Sequence, residues 1–532
     1  MASGDKFSSL LRPSLAVSAV TLASRLLGLL RVRLEATVLG GGAFASAWFL
    51  AFAIPNLFRR LLGEGALGTA LTPLIAGIEK EQGKEEMRKA LTVIFLALSG
   101  VLAGIVVLVP LGAVLIRSYA QEAQIAYFCN TRMDLALQLL PLLMPYAFFM
   151  CLVGAATAVL NYVRIFVLPA CGALLLNLFL ISGLAVLFNM RIGIDELPAY
   201  LPVLSILVLV SGLCQLVLSF VLLCLSGNGA VFRWAVFKKT DVLRKLVHLS
   251  LPGMIAASVL QISFLIDRML AVKLNDQAVP ALTFVDRLVD LPIGIFAVSL
   301  GAVLMAAMSR AAAENDYGKL KEQLLFSLRH VYFACIPMAA GVIAFHGPLL
   351  RALCLGGNYT AGDLEAARSV AVFYGAGIPL FCSIKVLLPA FYARKVMKKP
   401  LWASLSAIGT NIILNLLLMG PLKQGGIALA TTISSLLNNG ILLFFLCQDG
   451  LMPDWKLLAK SALRALAVSV VTVCVLGKLY ALVEEKLMVS RWLDAGAAVL
   501  LFAAAGVLYT GLSFLVRAPE VREFFAVLRR KR

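Results

Sequence analysis

Fourteen segments of this 532-residue chain stay apolar long enough to matter, since an α-helix needs about 20 apolar residues to cross a bilayer. They cover 14–39, 43–76, 88–116, 134–161, 166–188, 198–225, 246–273, 279–309, 327–346, 365–393, 400–419, 425–447, 458–481 and 492–516. One aqueous core cannot absorb them. Hydrophobic residues make up 61% of the chain and charged ones 14%, with a mean hydropathy of +0.95, whereas a soluble domain is about half apolar and a quarter charged. The segments are rich in Ala, Leu and Gly and closely spaced. That suits helices and not the alternating strands of a barrel. The expected fold class is an all-α polytopic membrane protein with no soluble domain attached.

The net charge of +19 does not point to nucleic acid, because the basic residues form no single patch. They gather in alternate loops, at 77–90, 226–245, 310–329, 394–399 and the tail from Arg517. By the positive-inside rule both termini are cytoplasmic. The ending Arg529, Arg530, Lys531, Arg532 reads as an anchor on anionic membrane lipids. Arg25, Arg31 and Arg33 interrupt the first apolar run, so it is expected to be retained, not cleaved. The cysteines stand singly with no C-x-x-C pair, and His248, His330 and His346 are dispersed. Neither pattern supports a zinc or redox site. Cys129 and Cys354 fall in outer-side loops, and the sequence does not decide whether they pair. A membrane enzyme acting on polyprenyl phosphates would need clustered His and Asp, so no enzymatic activity is expected.

Charge within the spans is the informative exception. Arg25, Arg31, Arg33, Arg59, Arg60, Arg268, Arg287, Lys385 and Arg464 lie inside apolar segments, where an arginine facing lipid costs about 2.5–3.5 kcal/mol. The acids Glu35, Glu64, Asp267, Asp286 and Asp290 share the same few helices. Arg31 with Glu35 and Arg60 with Glu64 are i,i+4 neighbours, and Asp286 and Asp290 flank Arg287. Buried ion pairs tying helices together account for those residues. They do not account for Arg25 and Arg59, which have no acidic residue three or four positions away in the sequence. Snorkelling serves Arg33 and Arg464 near helix ends. A water-filled cavity accounts for the set better. Guanidinium groups stay charged and grip phosphate oxygens in pairs, so a converging cluster suits a phosphorylated or pyrophosphorylated ligand. Pro55, Gly63 and Gly65 around Arg59 and Arg60 predict a bent or broken helix, which membrane depth tolerates only beside a cavity.

A weak parallel repeat accompanies this. Arg31-Val32-Arg33 and Asp267-Arg268 are each followed by a proline, Pro55 or Pro292, then by a small-residue run, Gly65-Ala66-Leu67-Gly68 or Gly301-Ala302-Val303-Leu304. Two six-helix lobes related by an axis along the membrane normal follow, divided as residues 1–228 and 229–448, with 449–532 holding two further helices and the basic tail. A second constellation is polar. Asp267, Asn411, Asn415 and Thr431 offer oxygen ligands suited to a hard cation such as sodium, though interhelical hydrogen bonding is the commoner use of Asn and Thr.

Ser24-Arg25-Leu26-Leu27-Gly28-Leu29-Leu30-Arg31 resembles the S-R-x-L-G-x-x-R-D opening of the MurJ (MviN) lipid II flippases. Ala51-Phe52-Ala53-Ile54-Pro55-Asn56-Leu57-Phe58-Arg59-Arg60 and Glu64-Gly65-Ala66 resemble that family's A-F-K-x-P-N-x-x-R-R-x-x-A-E-G-A. Asp286-Arg287-Leu288 with Pro292 and Gly294, Pro389-Ala390-Phe391-Tyr392-Ala393-Arg394, and Gly420-Pro421-Leu422 before Gly425-Gly426 continue the match in order. The resemblance implies the multidrug/oligosaccharidyl-lipid/polysaccharide exporter fold, with two pseudo-symmetric six-helix lobes plus two C-terminal helices forming a groove for a polyprenyl tail. It implies alternating access that moves lipid II, the undecaprenyl-pyrophosphate-linked peptidoglycan precursor, across a bacterial cytoplasmic membrane. Arg25, Arg31, Arg59 and Arg287 match its cavity arginines, and Glu64 its helix 2 acid. Asp286 and Asp290 join them in the expected substrate site. Asp267, Asn411, Asn415 and Thr431 match positions that form a sodium site in some members. Val32, Ser46, Ala53 and Asp290 depart from the family's acid, aspartate, lysine and glutamate. A monomer is expected, with cell-wall synthesis enzymes as neighbours. Export of another polyprenyl-linked oligosaccharide is the second reading. A cationic-drug antiporter would want acids in place of the arginines.

Overall fold

The computed structural model describes residues 2–63, 66–229, 240–294, 298–487 and 491–523. Its first helices are α1 (Ala2–Leu39) and α2 (Ala43–Phe58), a π-helical turn at Arg59–Gly63, and α3 (Ala66–Gln82). Then come α4 (Lys84–Glu122), α5 (Thr131–Tyr162), α6 (Val167–Asn189), α7 (Leu197–Leu225) and α8 (Thr240–Leu274). The remainder is α9 (Ala278–Pro292), α10 (Val298–Ala313), α11 (Tyr317–Cys354), α12 (Ala361–Tyr392), α13 (Lys398–Gln448), α14 (Trp455–Leu487) and α15 (Arg491–Leu515). Among the described residues the only β-type pairing is an isolated bridge between Gly356 and Tyr359. The fourteen expected segments fall on these helices. The fold is the all-α polytopic membrane class, and nine described helices are long and apolar enough to span by themselves.

The residues explain where helices break. The 51 residues of α13 are too long for one crossing at 1.5 Å rise per residue. The helix divides at Lys423, whose φ of 50° and ψ of −133° follow Pro421. Close approach there admits only glycine at 426, because a Cβ would sit 2.2 Å from the Leu418 carbonyl oxygen. Pro55 lies inside α2 four residues ahead of the π turn, and Pro292 ends α9 with a π turn at 293–294. A π-helical stretch thus follows each proline, four residues on after Pro55 and directly after Pro292. Proline removes an i→i−4 hydrogen bond and crowds the preceding turn.

The chain forms two compact units, Met1–Val279 and Pro280–Arg532. In the first, α5 packs against α2, α3, α4 and α7. Small residues let backbones approach there: Ala155 and Ala156 lie buried beside Leu71, Ile75, Leu91 and Ile94. Outward, α4 exposes Val101, Val107, Leu108, Leu111, Val114 and Leu115, an apolar band that water would not tolerate and lipid does. In the second unit α12 packs between α11 and α13, while α14 and α15 lie on α11. Phe345, Leu476, Tyr480 and Leu501 form their shared core. Charge clamps both ends of this α14–α15 pair. Arg351 donates to Asp494 at 3.0 Å, Glu484 at 3.0 Å and the Tyr480 hydroxyl at 2.8 Å. Arg329 donates twice to Glu520 Oε1, at 2.9 and 2.8 Å, and Ser461 adds a third bond at 2.7 Å. All ten cysteines are free thiols, Cys129 exposed and Cys354 buried.

Candidate functional site

The π turn after Pro55 is where backbone and charge coincide. Widening the helix changes which carbonyls find partners, and the Phe58 carbonyl accepts from Cys151 Sγ at 3.4 Å on α5. Arg59 and Arg60 open the turn. Arg59 Nε donates to Asn56 Oδ1 at 2.8 Å. Arg60 Nη1 reaches Gln261 Oε1 on α8 at 3.5 Å, and its guanidinium lies 5.9 Å from the centre of the Phe264 ring. Arg268 approaches the same ring at 4.7 Å and donates to the Val279 carbonyl at 3.3 Å. Gln261, Phe264 and Arg268 recur at i, i+3 and i+7, so one face of α8 meets the broken helix. An aromatic face attracts a guanidinium by about 0.5–1 kcal/mol without neutralising it.

On α1 the arginines differ. Arg31 is only 7% exposed; its Nε lies 3.4 Å from Glu35 Oε1 and its Nη1 donates to Asn177 Oδ1 on α6 at 3.1 Å. The i,i+4 pairing expected from the sequence is present, and an amide partner joins it. Arg25 is half-buried and makes no hydrogen bond or ion pair with a described residue. Arg33 Nη1 is buried without a hydrogen-bond partner among the described residues. Guanidinium groups so placed keep their charge available to an anion.

The other expected residues divide by unit. Asp267 is buried in the first. Asn411, Asn415 and Thr431 come together in the second: Asn411 Nδ2 donates to Thr431 Oγ1 at 3.3 Å, and Asn415 Nδ2 to Asn411 Oδ1 at 3.1 Å. Arg287 and Asp286 are half-buried on α9, and Asp290 is exposed. Glu64 lies outside the described residues. Asn177, Gln261 and Phe264 escaped the sequence reading. An amide deep inside apolar α6, and the Gln261–Phe264–Arg268 spacing, were the signals available.

Ser46, which stands where the family has aspartate, is fully buried, and its hydroxyl donates to the Asp276 carbonyl oxygen. Arg132, before α5 leaves its first turn, pairs with the Asp276 carboxylate at 2.8 Å and donates to the Val272 carbonyl at 2.6 Å. Tyr127 donates to the Met269 carbonyl at 3.0 Å. The bonds to the Val272 and Met269 carbonyls hold the last turns of α8, and those to Asp276 hold the chain just beyond it.

A sequence profile described as Lipid II flippase MurJ matches residues 35–494. A probable lipid II flippase MurJ of Rhizobium tropici is 30% identical, the alignment covering 98% of this chain and 97% of that protein. Its counterpart in Vibrio cholerae is 30% identical over 81% of this chain and 82% of its own length. A solved lipid II flippase MurJ in an inward closed conformation superposes with a TM-score of 0.73 at 22% identity, covering 94% of this chain and 98% of that one. An inward-facing multidrug-resistance transporter of the MATE family shares the fold more distantly, with a TM-score of 0.62 at 14% identity over 81% of this chain and 98% of its own. With a broken second helix led by paired arginines, and a family profile matched over most of its length, the chain belongs to the MurJ lipid II flippase family.

Proposed function

We propose that this protein moves lipid II from the inner to the outer leaflet of a bacterial cytoplasmic membrane, with both termini in the cytoplasm. The observation that carries the reading is the pair Arg59 and Arg60 on a π turn inside the apolar part of the chain, met by the Gln261–Phe264–Arg268 face of α8. Guanidinium groups bind pyrophosphate oxygens in pairs and remain charged at any physiological pH. Arg25, Arg31, Arg59 and Arg287 hold the pyrophosphate, with Glu64, Asp286 and Asp290 setting the local charge. Translocation leaves the substrate chemically unchanged, so no bond need be made or broken.

Two six-helix lobes, residues 1–228 and 229–448, alternate access to the two sides, while α14 and α15 accompany the polyprenyl tail. Each charge carried through the membrane potential is worth about 2.3 kcal/mol per 100 mV, enough to reset a cycle. Sodium is the alternative coupling ion. Asn411, Asn415 and Thr431 are hard oxygen donors already grouped on α13, and Asp267 supplies the carboxylate. The protein works as a monomer beside cell-wall synthesis enzymes.

The deciding measurement is a leaflet-resolved assay with purified protein and lipid II in vesicles, with and without sodium and an imposed potential. Wild-type protein moves lipid II, and Arg31→Ala or Arg287→Ala abolishes movement. Full transport by both variants would sink the anion site.

A further inference from the structure

The middle of helix α6 is apolar except at Asn177 and at Ser182, whose hydroxyl is already satisfied by the Phe179 carbonyl of its own helix. An unsatisfied polar group in hydrocarbon costs several kcal/mol, so that amide needs partners, and α1 supplies both. Asn177 Oδ1 accepts from Arg31 Nη1 at 3.1 Å, and Asn177 Nδ2 donates to the Ser24 carbonyl oxygen at 3.1 Å. Ser24 and Arg31 are seven residues, or about two turns, apart and so share a face of α1. The amide cannot serve this pair turned over, because its NH2 would then point at a guanidinium that only donates. Asn177 is 7% exposed, which leaves little room for water to take its place.

We propose that Asn177 is a positioning residue for anion transport, acting through α1. It holds the register and rotation of that helix so that Arg31 stays oriented and Arg25, next to Ser24, is presented to the substrate pyrophosphate. The inference rests on the lipid II reading. Its physical content is the choice of a neutral, two-sided group. Glu35 already stands 3.4 Å from the Arg31 guanidinium; a second carboxylate would cancel the charge the substrate needs, whereas an amide orients it and leaves it in place. The bond to Ser24 fixes the backbone from which Arg25 projects while leaving the Arg25 guanidinium open.

The test uses full-length protein in vesicles, with initial rates of lipid II movement measured across lipid II content and thermal unfolding measured in parallel. Asn177→Leu keeps the branched shape with somewhat more bulk and loses both bonds. Asn177→Asp keeps the acceptor for Arg31, adds a charge, and loses the donor to Ser24. A residue serving only the fold would be replaced well by aspartate, which forms an ion pair with Arg31. A positioning residue would not. Both variants are expected to raise the half-saturating lipid II content by about 10-fold or more, with a smaller change in maximal rate. Asn177→Asp is expected to unfold at a temperature no lower than Asn177→Leu, separating stability from transport. Should Asn177→Leu not fold, Asn177→Asp carries the test alone. Wild-type half-saturation in Asn177→Asp, or a loss of maximal rate alone in proportion to unfolded protein, overturns the proposal. Wild-type protein that moves no lipid II overturns the functional reading and this inference with it. Active wild-type with an equally active Asn177→Asp overturns only the latter.

Discussion

Arg351 near the end of α11 meets two carboxylates and a phenol, Asp494, Glu484 and Tyr480, all within 3.0 Å. Arg59 and Arg60 on the π turn have amides among their partners, Asn56 at 2.8 Å and Gln261 at 3.5 Å. Arg31 adds the Asn177 amide to its one carboxylate. Arg329 and Arg394 of the second unit repeat the first pattern, with Glu520 at 2.8 Å and Asp449 at 2.9 Å. The difference is chemical. A carboxylate satisfies a guanidinium and cancels its field. An amide oxygen satisfies its geometry and cancels nothing. Arginine at the helix ends of the second unit is fastened by carboxylates, whereas Arg31, Arg59 and Arg60 in the first take amide partners as well, and under the proposed function these are the charges that meet the anion.

The sharpest way to break that contrast is to remove one arginine from each class. Arg59→Ala is expected to lower lipid II movement by about 100-fold or more, since it deletes a charge-assisted contact that has no substitute. Arg351→Ala should lower thermal stability while leaving the half-saturating lipid II content unchanged. If Arg351→Ala raises half-saturation as Arg59→Ala does, the two classes are one. A stability effect of the next size belongs to Glu520, which is 2% exposed beneath Arg329, with Ser461 donating and Arg464 at 3.9 Å. Glu520→Leu leaves Arg329 with Glu523 alone, at 3.6 Å, and should destabilise by about 2–3 kcal/mol, below the cost of a fully stranded charge. Arg329→Met combined with Glu520→Leu should recover most of that in a thermal melt, because the pair's own net worth is small. Failure of the double variant to recover would mean that Glu520 matters for more than its partner.

Arg132 tests the contrast from inside the first unit, being an arginine there that is paired with a carboxylate. It fastens the last turns of α8 to the start of α5, beside the Ser46 bond to Asp276. Arg132→Ala removes about 1–1.5 kcal/mol of hydrogen bonding. That should raise labelling of a Ser46→Cys variant by an outside-added, impermeant thiol reagent about 5- to 10-fold, in a Cys129→Ser background. Unchanged labelling would show that this end of α8 is held by something else.

How legible these arrangements are in the sequence depends on how far apart the partners lie along the chain. The spans could be read because apolar length is a local property. The broken second helix could be read because Pro55 and Gly63 act within a few residues. Arg31–Glu35 was visible as a helical turn. Asn177 was not, because it stands 146 residues from Arg31 and an isolated Asn in an apolar helix names no partner. Arg329 and Glu520 are 191 residues apart; Arg329 read as one more basic residue of the 310–329 loop, and Glu520 belonged to no pattern. Ser46 appeared only as a lost acid, yet its hydroxyl meets a backbone carbonyl, a partner that no residue pattern encodes.

The smallest expected effect separates fasteners from held charges by pH. Burial raises the Asp449 carboxyl, but hydrogen bonds from Lys399 and Arg394 outweigh it and hold the group below its ordinary value. Burial likewise raises Glu520, and Ser461 with Arg329 brings it below the usual glutamate value. A carboxyl depressed in the folded state contributes stability that is fully present above its unfolded value, near pH 4, and is lost as pH falls through the folded value. Asp449→Asn should therefore lower the unfolding temperature at pH 7 by an amount matching less than about 1 kcal/mol. The gap to wild type should close as the pH falls below about 4. Arg25 makes no ion pair with a described carboxylate, so Arg25→Gln should leave the acid limb of the stability profile parallel to wild type while transport fails. An Asp449→Asn gap that stayed constant down to pH 3 would mean that the Asp449 carboxylate does not fasten Arg394 and Lys399 through its charge.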